Sequence, residues 1–207
     1  LSILSRRVNR TTAENGFLFP KVGDSFNRFY QEKLPFELTG AQKRVVKEIR
    51  QDTVSGHQMN RLLQGDVGSG KTLVALMSML LAADNGYQSC MMVPTEILAQ
   101  QHYASISRLV EGLGIEVRLL TGSTRAKPRR EILESTASGQ TNILIGTHAL
   151  LEDRVQFSDL AMVVIDEQHR FGVEQRARMW TKNERPPHIL VMTATPIPRS
   201  LALSVYG

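Results

Sequence analysis

The stretch of sequence that decides the fold is Gly65-Asp66-Val67-Gly68-Ser69-Gly70-Lys71-Thr72. It matches the pattern G-x-x-x-x-G-K-[ST], in which the glycines let the backbone curl and turn successive N–H groups toward phosphate oxygens. A helix that begins where such a loop ends attracts the same anion through its dipole. The pattern therefore predicts a phosphate-binding loop, with Lys71 on the β- and γ-phosphates of a nucleotide and the Thr72 hydroxyl on Mg²⁺.

The surrounding sequence supplies the strand and the helix that such a loop requires. Residues 61–64 form a short strand candidate before the loop, and residues 71–83 form an apolar helix after it. Further strands are predicted at residues 89–93, 116–120, 142–145, 162–165 and 189–192, and further helices at residues 95–109 and 129–138. Apolar runs separated by helices are typical of a mostly parallel sheet with helices on both faces. We therefore predict an α/β domain.

Two adjacent carboxylates follow one of the predicted strands. Residues 162–165 are apolar, and Asp166 and Glu167 come directly after them. Ligands of open α/β sheets lie at the carboxyl ends of the strands, so Asp166 is predicted to reach the Mg²⁺ held by Thr72. Glu167 is then placed to orient and activate an attacking water. The alternative is that the pair only ends a strand, and the phosphate loop in the same chain argues against that.

Composition and charge narrow the class of protein. The 207 residues are 42 % hydrophobic and 22 % charged, which is an ordinary globular composition. A net charge of +5 suits a polyanionic partner, although many basic proteins bind no nucleic acid. No apolar run approaches the roughly 18 residues that cross a bilayer, so no membrane association is expected. The single cysteine, Cys90, excludes an internal disulfide and is predicted to be a core residue.

The beginning of the chain differs from the rest in pattern. Residues 1–35 are predicted to form a helical extension or linker ahead of the main domain at residues 36–207. Scattered aromatic residues fit an amphipathic helix at residues 23–33. Leu34-Pro35 is a natural boundary, because a residue before proline avoids the helical region. The first residue is Leu1, so a fragment of a longer protein is expected.

Several motifs together carry a resemblance to a known family. Asp166-Glu167-Gln168-His169 resembles the DEAD/DExH box of superfamily 2 helicases, and residues 193–195 resemble the motif that couples hydrolysis to DNA movement. Residues 36–42 resemble the upstream motif whose glutamine reads adenine. Residues 94–102 resemble motif Ia, and residues 146–150 a later strand-contacting motif. The resemblance implies a RecA-like P-loop NTPase domain.

The resemblance also implies roles for individual residues, with ATP and Mg²⁺ as cofactors. The implied catalytic residues are Lys71, Asp166, Glu167, Gln168 and His169. The implied nucleotide-binding residues are Phe36, Gln42, Gly65, Asp66, Val67, Gly68, Ser69, Gly70, Lys71 and Thr72, and the metal ligands are Thr72 and Asp166. The implied DNA-binding or coupling residues are Pro94, Thr95, His102, Thr147, His148, Thr193 and Thr195, and the chemistry of the segment at residues 121–130 adds Thr121 and Gly122.

A basic segment adds to the candidate DNA surface. Residues 121–130 place four basic residues beside small hydroxyls, and such groups commonly contact phosphates. A solvated basic turn that opens a helix is an equally good interpretation. Motors of this class follow the DNA backbone, so no base readout is expected.

The match narrows to the RecG type of helicase. Residues 59–72, 166–173 and 192–199 look like RecG. The transcription-repair coupling factor is the alternative, but it usually has Glu where this chain has Gln168, and it lacks the Leu-Pro-Phe-Glu-Leu-Thr block of residues 34–39 in this form. The resemblance implies an enzyme that reverses stalled forks and migrates Holliday junctions in the bacterial cytoplasm, associated with the nucleoid. Its second RecA-like domain and its DNA-binding wedge domain would lie outside this chain.

Two other classes of function compete with a DNA motor. A small-molecule kinase uses the same phosphate loop, but it needs a substrate lid and is not expected to carry Asp-Glu-Gln-His followed by Thr-Ala-Thr. A non-catalytic ATP-binding module is the other alternative. The presence of Lys71, Thr72, Asp166 and Glu167 argues against natural loss of activity, although truncation could impose it.

Overall fold

The backbone forms one mixed sheet with helices on both faces. A computed structural model describes residues 3–7, 16–66, 68–166 and 185–194 of the chain. The seven-stranded sheet has the order β1-β2-β7-β6-β3-β5-β4. The strands are β1 Ile3–Arg7, β2 Asn60–Gly65, β3 Gln88–Met92, β4 Val117–Leu120, β5 Ile143–Gly146, β6 Leu160–Asp166 and β7 His188–Thr193. Strand β1 is antiparallel to β2, and the other pairings are parallel.

The helices alternate with the strands, as the sequence predicts for an α/β domain. They are α1 Asp24–Arg28, α2 Gly40–Thr53, α3 Lys71–Asp84, α4 Glu96–Leu109 and α5 Ala126–Ala137. A π-helix at Phe29–Lys33 continues α1, and a 3-10 helix lies at His148–Leu151. Each predicted strand and helix is present with ends shifted by a few residues. Helix α2 and the 3-10 helix were not predicted.

Alternation along the strands divides the core into two layers. Within β3, Met91 packs on the face that carries α1 to α4, whereas Cys90 and Met92 pack on the face that carries α5 and the 3-10 helix. Successive residues of a strand point to opposite faces, so a strand buried on both sides is apolar throughout. Cys90 is fully buried, which confirms it as a core residue.

Helix α3 is the central helix of the larger layer. Ten consecutive residues, Leu73 to Ala82, are buried. A helix that is apolar all round must be covered all round. Helices α1 and α2 cover its outer side, and the sheet lies beneath it. The helix that follows the phosphate loop is thus fixed firmly in the core.

The N-terminal segment, predicted to be a helical extension or linker, also contains a strand. The predicted helix at residues 23–33 is present as α1 and the π-helix, but Ile3–Arg7 is a strand that extends the sheet at its edge. The sequence does not show the usual apolar pattern of a strand here, because only Ile3 of the five residues is buried and two of the others are adjacent arginines. Backbone pairing with β2, and not an apolar pattern, forms the strand.

The extension packs into the same core as the rest of the domain. Phe17, Phe19, Phe26 and Phe29 are all buried in the larger layer. The Asp84 carboxylate at the end of α3 accepts hydrogen bonds from the backbone N–H groups of Gly23, Ser25 and Phe26, each at 3.0 Å. These bonds satisfy donors that would otherwise be orphaned at the start of α1.

Candidate functional site

The phosphate loop has the strand–loop–helix setting that its chemistry requires. Strand β2 ends at Gly65, and α3 begins at Lys71. Gly68 and Gly70 have φ angles of +82° and +86°, a region that residues with a Cβ rarely adopt. Gly70 is the N-cap of α3, so the free N–H groups of the first turn of α3 face the loop. Val67 lies outside the described residues.

Lys71 is held at the mouth of this loop. Its ammonium group donates hydrogen bonds to the carbonyl oxygen of Gly65 and, at 3.1 Å, to that of Asp66. Burial lowers the pKa of Lys71, and the negative charges of Asp166 and Asp66 oppose that shift. The ammonium therefore lies in a partly buried position, beside backbone oxygens that an anion could replace.

The Ser69 hydroxyl supports the fit of a phosphate group to the loop, and Gly70 is held close to a side chain of α2. The Oγ atom of Ser69 is buried, and it has no hydrogen-bond partner among the residues that the structure describes. A Cβ atom on Gly70 would lie 2.0 Å from Nε2 of Gln42, so the loop backbone has no room for a side chain there. An unpartnered hydroxyl close to the N-terminus of a helix supplies a donor that phosphate oxygens need.

The carboxyl ends of three neighbouring strands place Asp166, Thr193 and the phosphate loop at one edge of the sheet. Asp166 ends β6, Thr193 ends β7, and β2 leads into the phosphate loop. In the sheet, Asp166 pairs in register with Met192, and Thr193 pairs with Gln64. Glu167, Gln168, His169 and Thr195 lie outside the described residues, so their predicted roles stay predictions.

The donor set at this edge suits a magnesium ion that keeps much of its water. Thr72 and Asp166 are the predicted protein ligands. No group of three or more His, Cys, Asp or Glu side chains able to hold a metal occurs within the described parts of the chain. Mg²⁺ is commonly bound by one or two protein oxygens together with phosphate oxygens and water, and a hydroxyl and a carboxylate are oxygen donors of that kind.

His102 contacts Asp166, a contact that the sequence did not reveal. The Nε2 atom of His102 lies 3.0 Å from Oδ2 of Asp166. The two residues are 64 positions apart in the chain, and no sequence pattern joins them. His102 therefore lies at the nucleotide side of the edge, although the family resemblance groups it with residues for DNA contact or coupling.

The side-chain amide of Gln42 forms hydrogen bonds within the chain. Its Oε1 accepts from the Thr39 N–H at 2.8 Å, and its Nε2 donates to the Ser69 carbonyl at 2.9 Å. The first bond belongs to a capping box that starts α2. Phe36, the other predicted adenine contact, is 53 % exposed. Adenine recognition by Gln42 stays a prediction, and it would use the second donor and acceptor sites of the same amide.

Six of the candidate DNA-binding or coupling residues follow the other three strands at the same edge. Pro94 and Thr95 come after β3, and Thr95 caps α4 by accepting from the Leu98 N–H at 3.2 Å. The remaining candidates of this group follow β4 and β5; they are Thr121, Gly122, Thr147 and His148. Thr95, Gly122 and His148 are exposed, whereas Thr121 and Thr147 are buried. The edge thus has a nucleotide half at β2, β7 and β6 and a second half at β3, β5 and β4.

One of the four basic residues in the predicted phosphate-contacting segment has a structural role. Arg129 donates to the carbonyl oxygens of Thr121 at 2.8 Å, Gly122 at 3.2 Å and Thr124 at 3.2 Å. Its side chain is only 11 % exposed, so it stabilises the turn from within. Arg125, Lys127 and Arg130 are exposed and remain candidates for DNA contact.

Glu96 is a further residue of this surface that sequence reasoning missed. Its carboxylate accepts from the backbone N–H and from the hydroxyl of Ser123, both at 3.0 Å. This contact ties the start of α4 to the turn after β4. Two of the candidate DNA-binding segments therefore hold a fixed position relative to each other.

Comparison with known proteins places the chain in a family. Residues 39–203 match the model of the DEAD/DEAH box helicase family. The chain belongs to that family. The chain is 49 % identical to the ATP-dependent DNA helicase RecG of Synechocystis over 207 residues, which are 100 % of this chain and 25 % of that protein. It is 54 % identical to RecG of Bacillus subtilis over 176 residues, 85 % of this chain and 26 % of that protein.

A solved structure supports the same placement. The chain superposes on RecG bound to a three-way DNA junction with a TM-score of 0.79 and 44 % identity, covering 94 % of this chain and 26 % of that one. The predicted RecA-like fold and the predicted resemblance to RecG are confirmed. The chain spans about a quarter of the length of the curated relatives it matches. No helix among its described residues has the length and apolarity to span a bilayer.

Proposed function

We propose that this domain binds ATP and Mg²⁺ as the first half of the motor of a DNA helicase that remodels branched DNA. The observation that carries the proposal is the glycine loop between β2 and α3, with Lys71 and Asp166 at one edge of the sheet. Kinases also have such a loop, but the family match over residues 39–203 favours a helicase. The similarity to RecG favours branched DNA over the substrate of a transcription-repair coupling factor.

The roles of the nucleotide-binding residues follow from their chemistry. Lys71 leaves the carbonyl oxygens of the loop and binds the β- and γ-phosphates, and the Ser69 hydroxyl gains a partner there. Thr72 and Asp166 hold Mg²⁺, which neutralises charge on the phosphate oxygens when it is bound. Glu167 orients and activates the attacking water. Gln168 and His169 complete the catalytic motif that begins at Asp166. Gln42 and Phe36 bind the adenine.

DNA binds at the other half of the same edge in this proposal. The exposed positions Thr95, Gly122 and His148 contact the phosphate backbone, together with the exposed basic residues of the turn after β4. Thr193 and Thr195 couple hydrolysis to movement along DNA. Residues 1–35 connect the domain to an upstream DNA-binding wedge domain, and a second RecA-like domain closes over the nucleotide. The complete protein acts on DNA in the bacterial cytoplasm.

The proposal is tested by comparing ATP hydrolysis by this domain and by the complete protein, with and without forked DNA. A second RecA-like domain adds an arginine to the γ-phosphate, and such an arginine accelerates hydrolysis by about 10³ to 10⁵. The isolated domain is therefore expected to bind ATP and to hydrolyse it slowly, with little response to DNA. Equal DNA-stimulated turnover by the two proteins would contradict the proposed division of the motor.

A pair of variants of the complete protein sharpens this test. The substitution Glu167→Gln removes the base for water and keeps its size, so it is expected to preserve ATP binding and to abolish hydrolysis. Lys71→Ala is expected to lose both. A complete protein whose ATP hydrolysis does not respond to forked DNA would favour the non-catalytic or kinase alternatives.

A further inference from the structure

Helix α4 connects the two halves of the sheet edge. It begins beside the exposed Thr95, after β3, and runs back along the sheet. His102 lies seven residues after Thr95, which is about two helical turns. Its ring reaches Asp166 at the end of β6, the strand next to β3. The same helix therefore carries a candidate DNA contact at its start and a nucleotide-site contact two turns later.

The contact between His102 and Asp166 has a defined donor and acceptor. A carboxylate can only accept, so the Nε2–H group of His102 donates to Oδ2 of Asp166. The side chains are 16 % and 18 % exposed, so water competes weakly for this bond. The bond fixes the rotation of the carboxylate about its last torsion, which is otherwise broad.

We propose that His102 is a positioning residue that orients Asp166 for Mg²⁺. The inference rests on the proposed role of Asp166 as a metal ligand. Ligating carboxylates are commonly oriented by outer hydrogen-bond donors, and loss of such a donor weakens metal affinity by about 10- to 100-fold. Because α4 also carries Thr95 and is tied through Glu96 to Ser123, a shift of this helix on DNA binding would change the orientation of Asp166.

The experiment measures how ADP affinity depends on Mg²⁺ concentration, by calorimetry on this domain. His102→Phe keeps a ring of similar size but removes the donor. His102→Gln restores a donor, because the Gln Nε2 can occupy the position of the His Nε2. The Phe variant is expected to need about 10- to 100-fold more Mg²⁺ for half-maximal enhancement of ADP binding. The Gln variant is expected to stay within a few-fold of the unsubstituted domain.

Two controls separate positioning from a general structural role. ADP affinity in the presence of EDTA is expected to be the same in all variants, since it does not involve the metal. Thermal unfolding reports whether each variant is folded. If His102→Phe does not fold, His102→Asn takes its place, because the shorter Asn amide cannot reach Asp166. Electron paramagnetic resonance of Mn²⁺ in the ADP complex gives a second measure of metal affinity.

The outcomes distinguish the inference from the proposed function on which it rests. Asp166→Asn is measured beside the His102 variants. If Asp166→Asn leaves the Mg²⁺ dependence unchanged, Asp166 is not a metal ligand and the proposed function fails at this residue. If Asp166→Asn weakens Mg²⁺ binding but His102→Phe does not, or if His102→Gln is as weak as His102→Phe, the positioning role is overturned.

Discussion

Polar groups at opposite edges of the sheet differ in how far the chain itself supplies their hydrogen-bond partners. At the amino-terminal edge, His188 at the start of β7 is fully buried, and both of its ring nitrogens are bonded: Nε2 to the Phe17 carbonyl at 2.6 Å and Nδ1 to the Met59 N–H at 2.9 Å. At the carboxyl-terminal edge, the Ser69 hydroxyl lacks a partner within the described residues, and Lys71 is bonded to loop carbonyls. The chain itself therefore satisfies His188, whereas Ser69 and Lys71 are groups that a ligand can engage.

A cluster of charged residues next to the first edge is also bonded within the chain. Arg61 in β2 donates to both carboxylate oxygens of Asp52 and, at 3.1 Å, to Glu48. Arg7 in β1 donates to the same Asp52 at 2.6 Å. The cluster fastens α2, β2 and the N-terminal strand together. The comparison separates polar groups that the chain itself bonds, His188 and Asp52, from the Ser69 hydroxyl and the Lys71 ammonium, which a ligand could engage.

The largest expected effect on stability is at the charged cluster. Asp52→Ala leaves Arg61, whose side chain is 8 % exposed, without its main partner. Removing one partner of a buried ion pair typically costs about 3–5 kcal/mol. Urea unfolding should show a loss in that range. Glu37→Ala removes one partner of the exposed pair with Lys43 and is the control, with an expected change under about 1 kcal/mol. Equal effects of the two variants would remove the distinction between a buried and an exposed pair.

The next effect is a dependence of stability on pH that arises from His188. Burial lowers the pKa of His188 from 6.5 to about 4. Between about pH 6.5 and pH 4, the unfolded chain therefore binds a proton at this site and the folded chain does not. The free energy of unfolding that this histidine contributes above pH 6.5 is lost as the pH falls through this window. At about 1.4 kcal/mol per pH unit the loss approaches roughly 3 kcal/mol.

Unfolding free energies measured between pH 7 and pH 4.5 test this dependence. His188→Gln cannot be protonated, so it is expected to be less stable at pH 7 but to lose less stability on acidification. The difference between the two profiles isolates the histidine from the carboxylates that titrate in the same range. Parallel profiles would show that the imidazole does not carry the effect.

A smaller effect separates two glycines of the phosphate loop. Gly68 and Gly70 both have positive φ, so alanine at either position carries a similar backbone strain of about 1–2 kcal/mol. Only at Gly70 does the new Cβ collide with Gln42; at Gly68 it meets nothing within 4 Å. Gly70→Ala must displace the buried Gln42 amide from Ser69 and Thr39. It is expected to be less stable than Gly68→Ala by about 1–2 kcal/mol, as measured by thermal unfolding, and to bind nucleotide less tightly.

The location of the phosphate loop and Asp166 at the carboxyl-terminal edge could be predicted from the sequence, because each lies within a short local motif. The loop from Gly65 to Thr72 and the strand that ends at Asp166 each contain their own signal, and the structure places both at one edge. The capping box of Thr39 and Gln42 also had a local pattern, S/T-x-x-E/Q, that would have predicted the start of α2. The same Gln42 also belongs to the segment that resembles an adenine-reading motif, so one residue fits two patterns.

The amino-terminal edge could not be predicted in the same way. His188 and Met59 are 129 positions apart, and Arg7 and Asp52 are 45 apart, so no local pattern marks either contact. The bond between His102 and Asp166 was missed for the same reason. Strand β1 was missed because its backbone pairing with β2 leaves little trace in a sequence with two exposed arginines. Contacts between distant segments depend on how the elements pack, and a single sequence does not show that packing.

The central claim is that the glycine loop and Lys71 bind the phosphates of a nucleotide with Mg²⁺. Isothermal titration calorimetry with Mg²⁺-ADP and Mg²⁺-ATP tests this claim most directly. The proteins compared are the unsubstituted domain, Lys71→Ala and the charge-matched control Lys47→Ala, which changes an exposed lysine on α2. A hydrogen bond to a charged group contributes about 1.5–3 kcal/mol, so Lys71→Ala is expected to weaken binding by roughly 10- to 100-fold or more while Lys47→Ala leaves it unchanged. Equal affinities for the unsubstituted domain and Lys71→Ala, or no binding by either, would contradict the account.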